Sequence, residues 1–305
     1  MAIRMSDGYV GEPPSLGTGV FNISAGQGAT PGFLSSFTTD SKLAKSKSGT
    51  EDWYMSSRLT GGEYLVPNGT NAESTGGYVQ WDMQTGFGNT WQSNYIGYLW
   101  KRHAGFDVVT YTGTGSATTI SHSLGKVPEM MWIKNRGTAG KNWQVYHKGM
   151  NGGTNPEQYR MRLNTADAEG DYGDASWNDT APTSAVFTVG THSETNGSSE
   201  EYIAYLFASV DGISKVGYYT GTGFSGNTQT LGFQPRFLIQ KRADGTGSWN
   251  VLDSVRGITD HRLEFDGNGA EDDGTTCVSV SSTGFTPHNA FLNISGAKYI
   301  YYAHA

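Results

Sequence analysis

A tyrosine-rich apolar segment occurs three times along the chain, at residues 95–100, 202–208 and 299–305. The copies begin 107 and 97 residues apart, a period that is too long for a solenoid and suits tandem copies of a small domain. Aromatic and β-branched residues dominate each copy, which predicts a mostly buried strand. We therefore expect a repeated domain whose copies each end on a core strand, and these strands begin at Tyr95, Tyr202 and Tyr299.

A tryptophan recurs at the start of an alternating segment in every copy, at Trp53, Trp143 and Trp249. Every copy has to fold, so positions shared by all copies are expected to serve the fold. A buried tryptophan removes a large apolar area from water, and its N–H needs a partner. We interpret the three tryptophans as core anchors rather than as ligand platforms.

The order of the recurring motifs divides the chain into four parts. These are an N-terminal arm at 1–30, a divergent first repeat at 31–105, a second repeat at 106–211 and a third at 212–305. The linkers between repeats are very short, which predicts that the repeats are held close together as a stiff rod or a compact cluster. The first repeat lacks a convincing opening strand, so it is either divergent or completed by a neighbour.

The composition indicates the fold class. Charged residues make up 16% and aromatic residues 12% of the chain, the 43 glycines cluster in turn motifs, and long helical patterns are absent. Short alternating segments follow one another every 8–12 residues. This cadence predicts an all-β protein built of antiparallel sandwich or jelly-roll domains.

The N-terminal 30 residues are rich in glycine, proline and serine, and only residues 19–23 alternate like a strand. Such a segment is either a disordered tail or an attachment segment that a partner orders. We favour attachment to other proteins of an assembly. No apolar run reaches the length of a signal peptide or of a membrane span, so the protein is expected to be made soluble and not to insert into a membrane.

The net charge of −7 disfavours nucleic acid as a partner, since nucleic-acid binding needs a basic surface. The nearest approach to a basic cluster, Lys42, Lys45 and Lys47, is predicted to lie in a polar loop. Cys277 is the single cysteine, which excludes an internal disulfide, and its alternating surroundings predict a buried, inert thiol.

Two acidic loops fall at the same place in the second and third repeats. Carboxylate and amide oxygens on a glycine-rich loop can bind Ca²⁺, but neither loop has the spacing of an EF-hand. The alternative is that each loop is an acidic turn exposed to solvent. The sequence indicates no other cofactor. The candidate ligands are Asp167, Glu169, Asp171, Asp266, Asn268 and Glu271.

Three tryptophans have no counterpart in the other repeats, namely Trp81 and Trp91 in the first and Trp177 in the second. An aromatic ring beside Asn and Asp is typical of a sugar-stacking patch and also of a protein interface. These residues are candidate contacts with a glycan or a protein, and for Trp177 a core position is an alternative. The sequence offers no nucleophile elbow, metalloprotease motif or P-loop, so we expect no enzymatic activity.

Five further motifs characterise the repeats: Tyr-Thr-Gly-Thr-Gly at 219–223, Leu-Gly-x-x-Pro at 231–235, Trp-x-Val-x-Asp-Ser-x-Arg-Gly at 249–257, the Ala-Glu pairs and the closing tyrosine strand. Together they resemble a β domain of virion proteins from marine tailed phages, especially phages of cyanobacteria. The resemblance covers residues 107–305 well and 31–106 loosely. It implies a lectin-like sandwich in a tail-associated or other structural protein, and it implies no catalytic residues.

The resulting expectation is a virion protein, made in the host cytoplasm, that works by surface contact. The first hypothesis is a tail fibre or tail-tip component, a homo-oligomer and preferably a homotrimer, that attaches through residues 1–30 and meets a host surface glycan or protein. A capsid decoration or another head or tail subunit is the alternative within this class. A glycan-degrading enzyme on a β-sandwich is the alternative from another class.

Overall fold

The three tyrosine-rich segments form equivalent strands in three antiparallel sheets. The computed structural model describes residues 15–223, 226–288 and 291–305. We refer to residues 15–105, 106–211 and 212–305 as modules 1, 2 and 3. The part of the predicted arm at residues 1–14 lies outside the described residues.

The described residues form 22 strands and a few short helical turns. Module 1 contains β1 (Phe21–Ala25), β2 (Ser41–Ser46), β3 (Tyr54–Ser57), β4 (Glu63–Tyr64), β5 (Ser74–Thr75) and β6 (Tyr95–Trp100). Module 2 contains β7 (Phe106–Thr112), β8 (Thr118–Ser121), β9 (Met130–Asn135), β10 (Gln144–His147), β11 (Tyr159–Arg162), β12 (Gly170–Asp171), β13 (Val186–Val189) and β14 (Glu201–Phe207). Module 3 contains β15 (Ser214–Thr220), β16 (Gln229–Thr230), β17 (Phe237–Arg242), β18 (Asn250–Asp253), β19 (Arg262–Glu264), β20 (Val278–Ser281), β21 (Gly284–Pro287) and β22 (Lys298–His304). The helices are α1 (Asp174–Trp177) and α2 (Ser193–Asn196), with 3-10 turns at Gly17–Gly19, Arg58–Thr60, Met150–Gly153 and Pro156–Gln158.

The main sheets of the modules share one strand order. They run β1-β6-β2-β3, β7-β14-β9-β10-β11-β12 and β15-β22-β17-β18-β19. In each sheet the closing tyrosine strand is paired on both sides, which explains its continuous apolar sequence. The register places the middle tyrosine of each closing strand in the same environment. Tyr98 lies opposite Ile23 and Leu43, Tyr205 opposite Val108 and Trp132, and Tyr302 opposite Val216 and Ile239.

One face of every main sheet packs into a single core that all three modules share. Aromatic rings meet across each junction, with centroid separations of 5.6 Å between modules 1 and 2, 4.9 Å between 2 and 3, and 5.0 Å between 1 and 3. The molecule therefore differs from three tandem domains that each have an independent core. The pairs are Trp100 with Phe106, Phe207 with Tyr302, and Tyr98 with Phe237.

The opposite face of each main sheet is covered by a cluster that belongs to its own module. In module 2 this cover includes the two-stranded sheet β8-β13, and in module 3 the sheet β16-β21-β20. The predicted all-β, antiparallel sandwich architecture is confirmed, because in modules 2 and 3 apolar side chains of the main sheet pack against those of the second sheet.

The recurring tryptophans link the modules in a ring. Each indole N–H donates to a backbone carbonyl of another module, and each tryptophan backbone N–H donates to an Asn or Asp in its own module. The indole bonds run from module 1 to 3, from 2 to 1 and from 3 to 2, so the ring closes. They join Trp53 to Glu264, Trp143 to Val66 and Trp249 to Arg162 at 2.9, 3.0 and 3.0 Å.

The recurring Ala-Glu pairs join the same junctions through the backbone. The N–H of the glutamate donates to a carbonyl of the next module at 2.8 Å in all three cases. A buried lysine of each main sheet also donates to a loop carbonyl of the neighbouring module. The glutamate bonds are Glu73 to Arg136, Glu169 to Ala243 and Glu271 to Lys47, and the lysine bonds are Lys45 to Asn268, Lys134 to Thr70 and Lys241 to Ala166.

Part of the predicted N-terminal arm is built into module 1. Strand β1 pairs along its length with β6 and takes the place that β7 and β15 hold in the other modules. Phe21 is buried in the shared core. The missing opening strand of the first repeat is therefore supplied by residues 21–25 of the same chain, which lie within the predicted arm.

Candidate functional site

Module 1 contains a cavity of about 180 Å³ that four aromatic side chains line. Thr90 and Gln92 complete the lining on the polar side. Both belong to the loop before β6, and this loop also carries Trp91. The aromatic side chains are Tyr54, Tyr78, Trp91 and Tyr95, and together with Thr90 and Gln92 we call them the aromatic pocket.

Trp91 lies at the centre of the aromatic pocket, and three tyrosine rings pack around it. Its ring centroid is 4.9 Å from Tyr95, 5.2 Å from Tyr78 and 6.1 Å from Tyr54, with interplanar angles of 79°, 79° and 60°. Edge-to-face packing of this kind is favourable and fixes ring orientation. The pocket is therefore walled by rings that hold one another in place.

The corresponding strand positions of modules 2 and 3 carry pairs of stacked rings. There the first tyrosine of the closing strand stacks on a tyrosine of the opening strand. Tyr202 lies on Tyr111 at 5.1 Å and 14°, and Tyr299 lies on Tyr219 at 4.9 Å and 10°. These rings are opposite each other in the strand register.

Gly26 takes the place of the stacking tyrosine in module 1. The pairing of Ala25 with Ile96 brings Gly26 opposite Tyr95, and the Gly26 N–H donates to the Tyr95 carbonyl at 3.0 Å. A Cβ on Gly26 would lie 2.0 Å from the carbonyl oxygen of Gln92. The absence of a side chain at Gly26 thus lets the loop with Trp91 cross the strand end and form the pocket.

Two more glycines of the same segment hold Trp91. The Gly28 N–H donates to the Trp91 carbonyl at 2.7 Å. A Cβ on Gly32 would lie 2.4 Å from Cδ1 of the Trp91 ring. Gly28 of the predicted arm and Gly32 of the first repeat therefore both lie against Trp91.

Lys42 lies behind the pocket and is fully buried. Its Nζ is 4.5 Å from the Trp91 ring centroid and 5.0 Å from that of Phe87, and it donates to the Tyr54 carbonyl at 3.4 Å. Burial lowers the pKa of Lys42 to about 7. The prediction that Lys42 and Lys45 lie in a polar loop is wrong, because both belong to the fully buried strand β2.

Replacing Lys42 by methionine is expected to stabilise the protein and to change its pH dependence. Modules 2 and 3 carry Met131 and Leu238 at the same sheet position. The folded-state pKa of Lys42 lies below its unfolded value of 10.5, so between about pH 7 and 10.5 the unfolded chain holds a proton that the folded chain has released. Wild-type stability should therefore gain on the order of a few kcal/mol as the pH rises through this window, and Lys42→Met should lack this gain.

Urea denaturation of both proteins between pH 6.5 and 9.5 checks this prediction. At pH 6.5 Lys42→Met is expected to be more stable than wild type by about 1–4 kcal/mol, since an apolar side chain replaces a buried cation. Lys47→Met, at a partly exposed lysine just after β2, serves as the matched control and should change the free energy of unfolding by less than about 0.5 kcal/mol. Parallel curves for wild type and Lys42→Met would contradict the prediction.

Two carboxylates lie beside the aromatic pocket. The Tyr95 hydroxyl donates to Glu51, and Asp52 accepts a hydrogen bond from Asn68 at 2.8 Å. Burial, and then the negative charges of Glu51 and Asp52, raise the pKa of the Tyr54 phenol. The rim of the pocket is therefore negatively charged while its wall is aromatic.

The three tryptophans predicted as surface contacts have different positions. Trp91 lines the aromatic pocket, whereas Trp81 packs on Phe87 and donates its indole N–H to the Gly61 carbonyl at 2.6 Å. Trp177 is 1% exposed and donates to the Tyr159 carbonyl, so it lies in the core of module 2, the alternative that the sequence left open.

Sequence reasoning missed the other members of the site. Tyr54 and Tyr78 flank Trp91 only after folding, because they are 37 and 13 residues distant from it in the chain. A usable signal was present at Lys42: a lysine occupies a strand position where the other repeats carry Met131 and Leu238. Such a departure from an otherwise apolar position marks module 1 as the one whose sheet differs at this place.

The acidic loops make protein contacts in the structure. In module 2, Asp167 accepts from the Thr165 hydroxyl, Glu169 from the Asn151 N–H and Asp171 from the Gly173 N–H, each at 2.9 Å. In module 3, Asp266 accepts from the Trp249 N–H, the Asn268 carbonyl from Lys45, and Glu271 forms an ion pair with Arg256. Across the described ranges, no group of three or more His, Cys, Asp and Glu side chains is arranged to hold a metal ion.

Several ionisable side chains are buried and used for packing. Asp253 accepts from the Tyr98 hydroxyl at 2.7 Å and forms an ion pair with Arg256, and both charged groups are almost fully buried. Four cavities of the described part of the chain have at most one carboxylate each in their linings.

Among the described residues, no helix has the length and apolarity needed to cross a bilayer.

The fold and the site define an all-β protein of three interlocked modules with an aromatic pocket in the first. The chain belongs to the family described as Domain of unknown function (DUF7483), whose sequence profile matches residues 34–305. The match extends over parts of all three modules, in agreement with their shared core. A search of curated proteins found no match.

Proposed function

We propose that this chain is a non-enzymatic structural protein of a tailed-phage particle that contacts a surface through the aromatic pocket. A tail fibre or tail-tip component is the role that fits best, with attachment to other virion proteins near the N-terminus. The observation that carries the proposal is the pocket itself, where four aromatic rings and two polar side chains converge in module 1. In modules 2 and 3 the equivalent tyrosine of the closing strand stacks instead on a tyrosine of the opening strand.

The way in which the modules are joined supports a role in contact rather than in chemistry. Three indole bonds and three backbone bonds close a ring of modules around one core. Such a unit holds its surface rigidly, so binding loses little conformational entropy. The buried Asp253–Arg256 pair lies within this framework, which favours a structural role for that pair. The resemblance of the repeated motifs to virion proteins of tailed phages supports the assignment of the chain to a phage particle.

Locating the chain in phage particles tests the proposal. Gold-labelled antibodies against the full chain, applied to particles purified from infected cells, are expected to mark the tail or its tip. A chain without residues 1–14 loses none of the described contacts and is expected to be absent from the particles although it folds. Label over the capsid would show that the chain decorates the capsid and is not a tail component. Particles that do not contain the chain would overturn the proposal.

A further inference from the structure

We propose that the aromatic pocket binds a single uncharged pyranose ring. The inference rests on the proposed function, because it names the ligand of the surface that we assign to contact. Its basis is the size of the cavity, the chemistry of its lining and the charges on either side of its rings.

The size of the cavity restricts the ligand to one ring. A volume of about 180 Å³ is smaller than the roughly 300–1,000 Å³ of pockets that enclose drug-sized ligands. A peptide side chain of similar size would bring a backbone with it, and the strand that carries Tyr95, β6, is already paired on both sides, with β1 and β2. A compact ring is therefore the better occupant.

The lining matches a ligand with an apolar face and polar edges. The partly exposed Tyr54 and Tyr78 present ring surface beside the largely buried Trp91, and the C–H face of a pyranose can pack on these rings. Thr90 and Gln92 are exposed at the same cavity and carry hydroxyl and amide groups, which can donate to and accept from sugar hydroxyls. A few convergent polar groups on an aromatic wall are what fix a small ligand in one orientation.

Charges near the pocket select against ionised ligands. Glu51 contacts Tyr95, and its charge and that of Asp52 act on Tyr54, so a carboxylate or sulfate on the ligand would meet like charge. The Nζ of Lys42 lies 4.5 Å from the centre of the Trp91 ring and already makes a cation–π contact with it. A cationic ligand would therefore gain little from the same ring. An uncharged ring avoids both penalties.

Saturation-transfer NMR with the full chain at pH 6 tests the inference. The probes are the methyl pyranosides of glucose, galactose and mannose and N-acetylglucosamine, with glucuronate, glucosamine and choline as charged competitors. At least one neutral sugar is expected to bind with a Kd on the order of 1 mM, as befits a small ligand. The charged probes are expected to bind at least about tenfold more weakly, equal to about 1.4 kcal/mol.

Variants locate the binding. Tyr54→Gln introduces the residue that module 2 carries at this sheet position, Gln144, and should weaken binding at least about tenfold with the fold kept. Gln92→Ala, at an exposed loop position, should also weaken it. Tyr218→Gln, at an exposed tyrosine of module 3, is the matched control and should leave binding unchanged.

Four results would overturn the inference: no transfer to any neutral sugar at 50 mM (about fifty times the expected Kd), tighter binding of a charged probe, unchanged binding in Tyr54→Gln, or equal loss in Tyr218→Gln. None of these results bears on where the chain lies in a particle. A failure of the sugar assay is therefore distinguishable from a failure of the proposed function.

Discussion

A chain that ends at residue 211 is expected not to fold cooperatively. Module 3 supplies Phe237, Phe265 and Tyr302 to the shared core. Loss of one large buried side chain costs about 3–5 kcal/mol, so the loss of three costs about 9–15 kcal/mol, which is as large as the roughly 5–15 kcal/mol that stabilises a typical domain. The indole of Trp53 would also lose its acceptor, the Glu264 carbonyl.

Thermal denaturation followed by near-ultraviolet circular dichroism checks this prediction. The full chain should show one cooperative transition, and the fragment 1–211 should show none. Co-expression of residues 212–305 with the fragment is the control, because the missing core side chains return without the covalent link. A fragment 1–211 that melts cooperatively on its own would show that modules 1 and 2 fold independently of the shared core.

Replacing Arg256 by methionine is expected to destabilise the protein by about 3–5 kcal/mol. Asp253 is 0% and the Arg256 side chain 1% exposed, so the substitution leaves a buried carboxylate without its cation. The Tyr98 hydroxyl donates to the same carboxylate from module 1 at 2.7 Å, so the damage extends across a junction between modules. Urea denaturation at pH 7 measures the change.

A second substitution separates the charge effect from loss of packing. Asp253→Ser together with Arg256→Met removes both charges, and serine is the residue that module 1 carries at this position. Ser57 there accepts the N–H two residues ahead, as Asp253 does. The double variant should be more stable than Arg256→Met alone. Arg162→Met, which breaks an exposed ion pair with Asp167, is the control and should cost less than about 1 kcal/mol. Equal losses from Arg256→Met and from the control would contradict the argument.

Local patterns predicted those parts of the fold that depend on local physics. Alternation and aromatic content marked the closing strands at Tyr95, Tyr202 and Tyr299, because strand formation and burial show in the spacing of neighbouring side chains. The recurrence of Trp53, Trp143 and Trp249 indicated core positions, and all three are buried. The alternating pattern at residues 19–23 predicted a strand, and the observed strand β1 lies two residues further on, at Phe21–Ala25.

The aromatic pocket could be predicted only in part. Trp91 was recognised because the other repeats lack it, whereas Trp81 and Trp177 carry the same signal and are packed inside their modules. All three rings are buried, and nothing in the local sequence shows that Trp91 alone among them lies at a cavity, since that depends on which side chains surround a ring after folding. The role of Gly26 depends on the strand register, which sets it opposite Tyr95.

The sequence by itself determined that the protein is a β protein of three related modules, because periodicity and repetition are properties of the chain. Only the tertiary structure decided that the modules close around one core, through bonds such as that from Trp143 to Val66. It also decided that one module keeps an open aromatic pocket over a buried lysine. Contacts between residues about a hundred positions apart depend on how the sheets pack together. The sequence of one module does not show which carbonyl of a neighbouring module accepts the hydrogen bond from its indole.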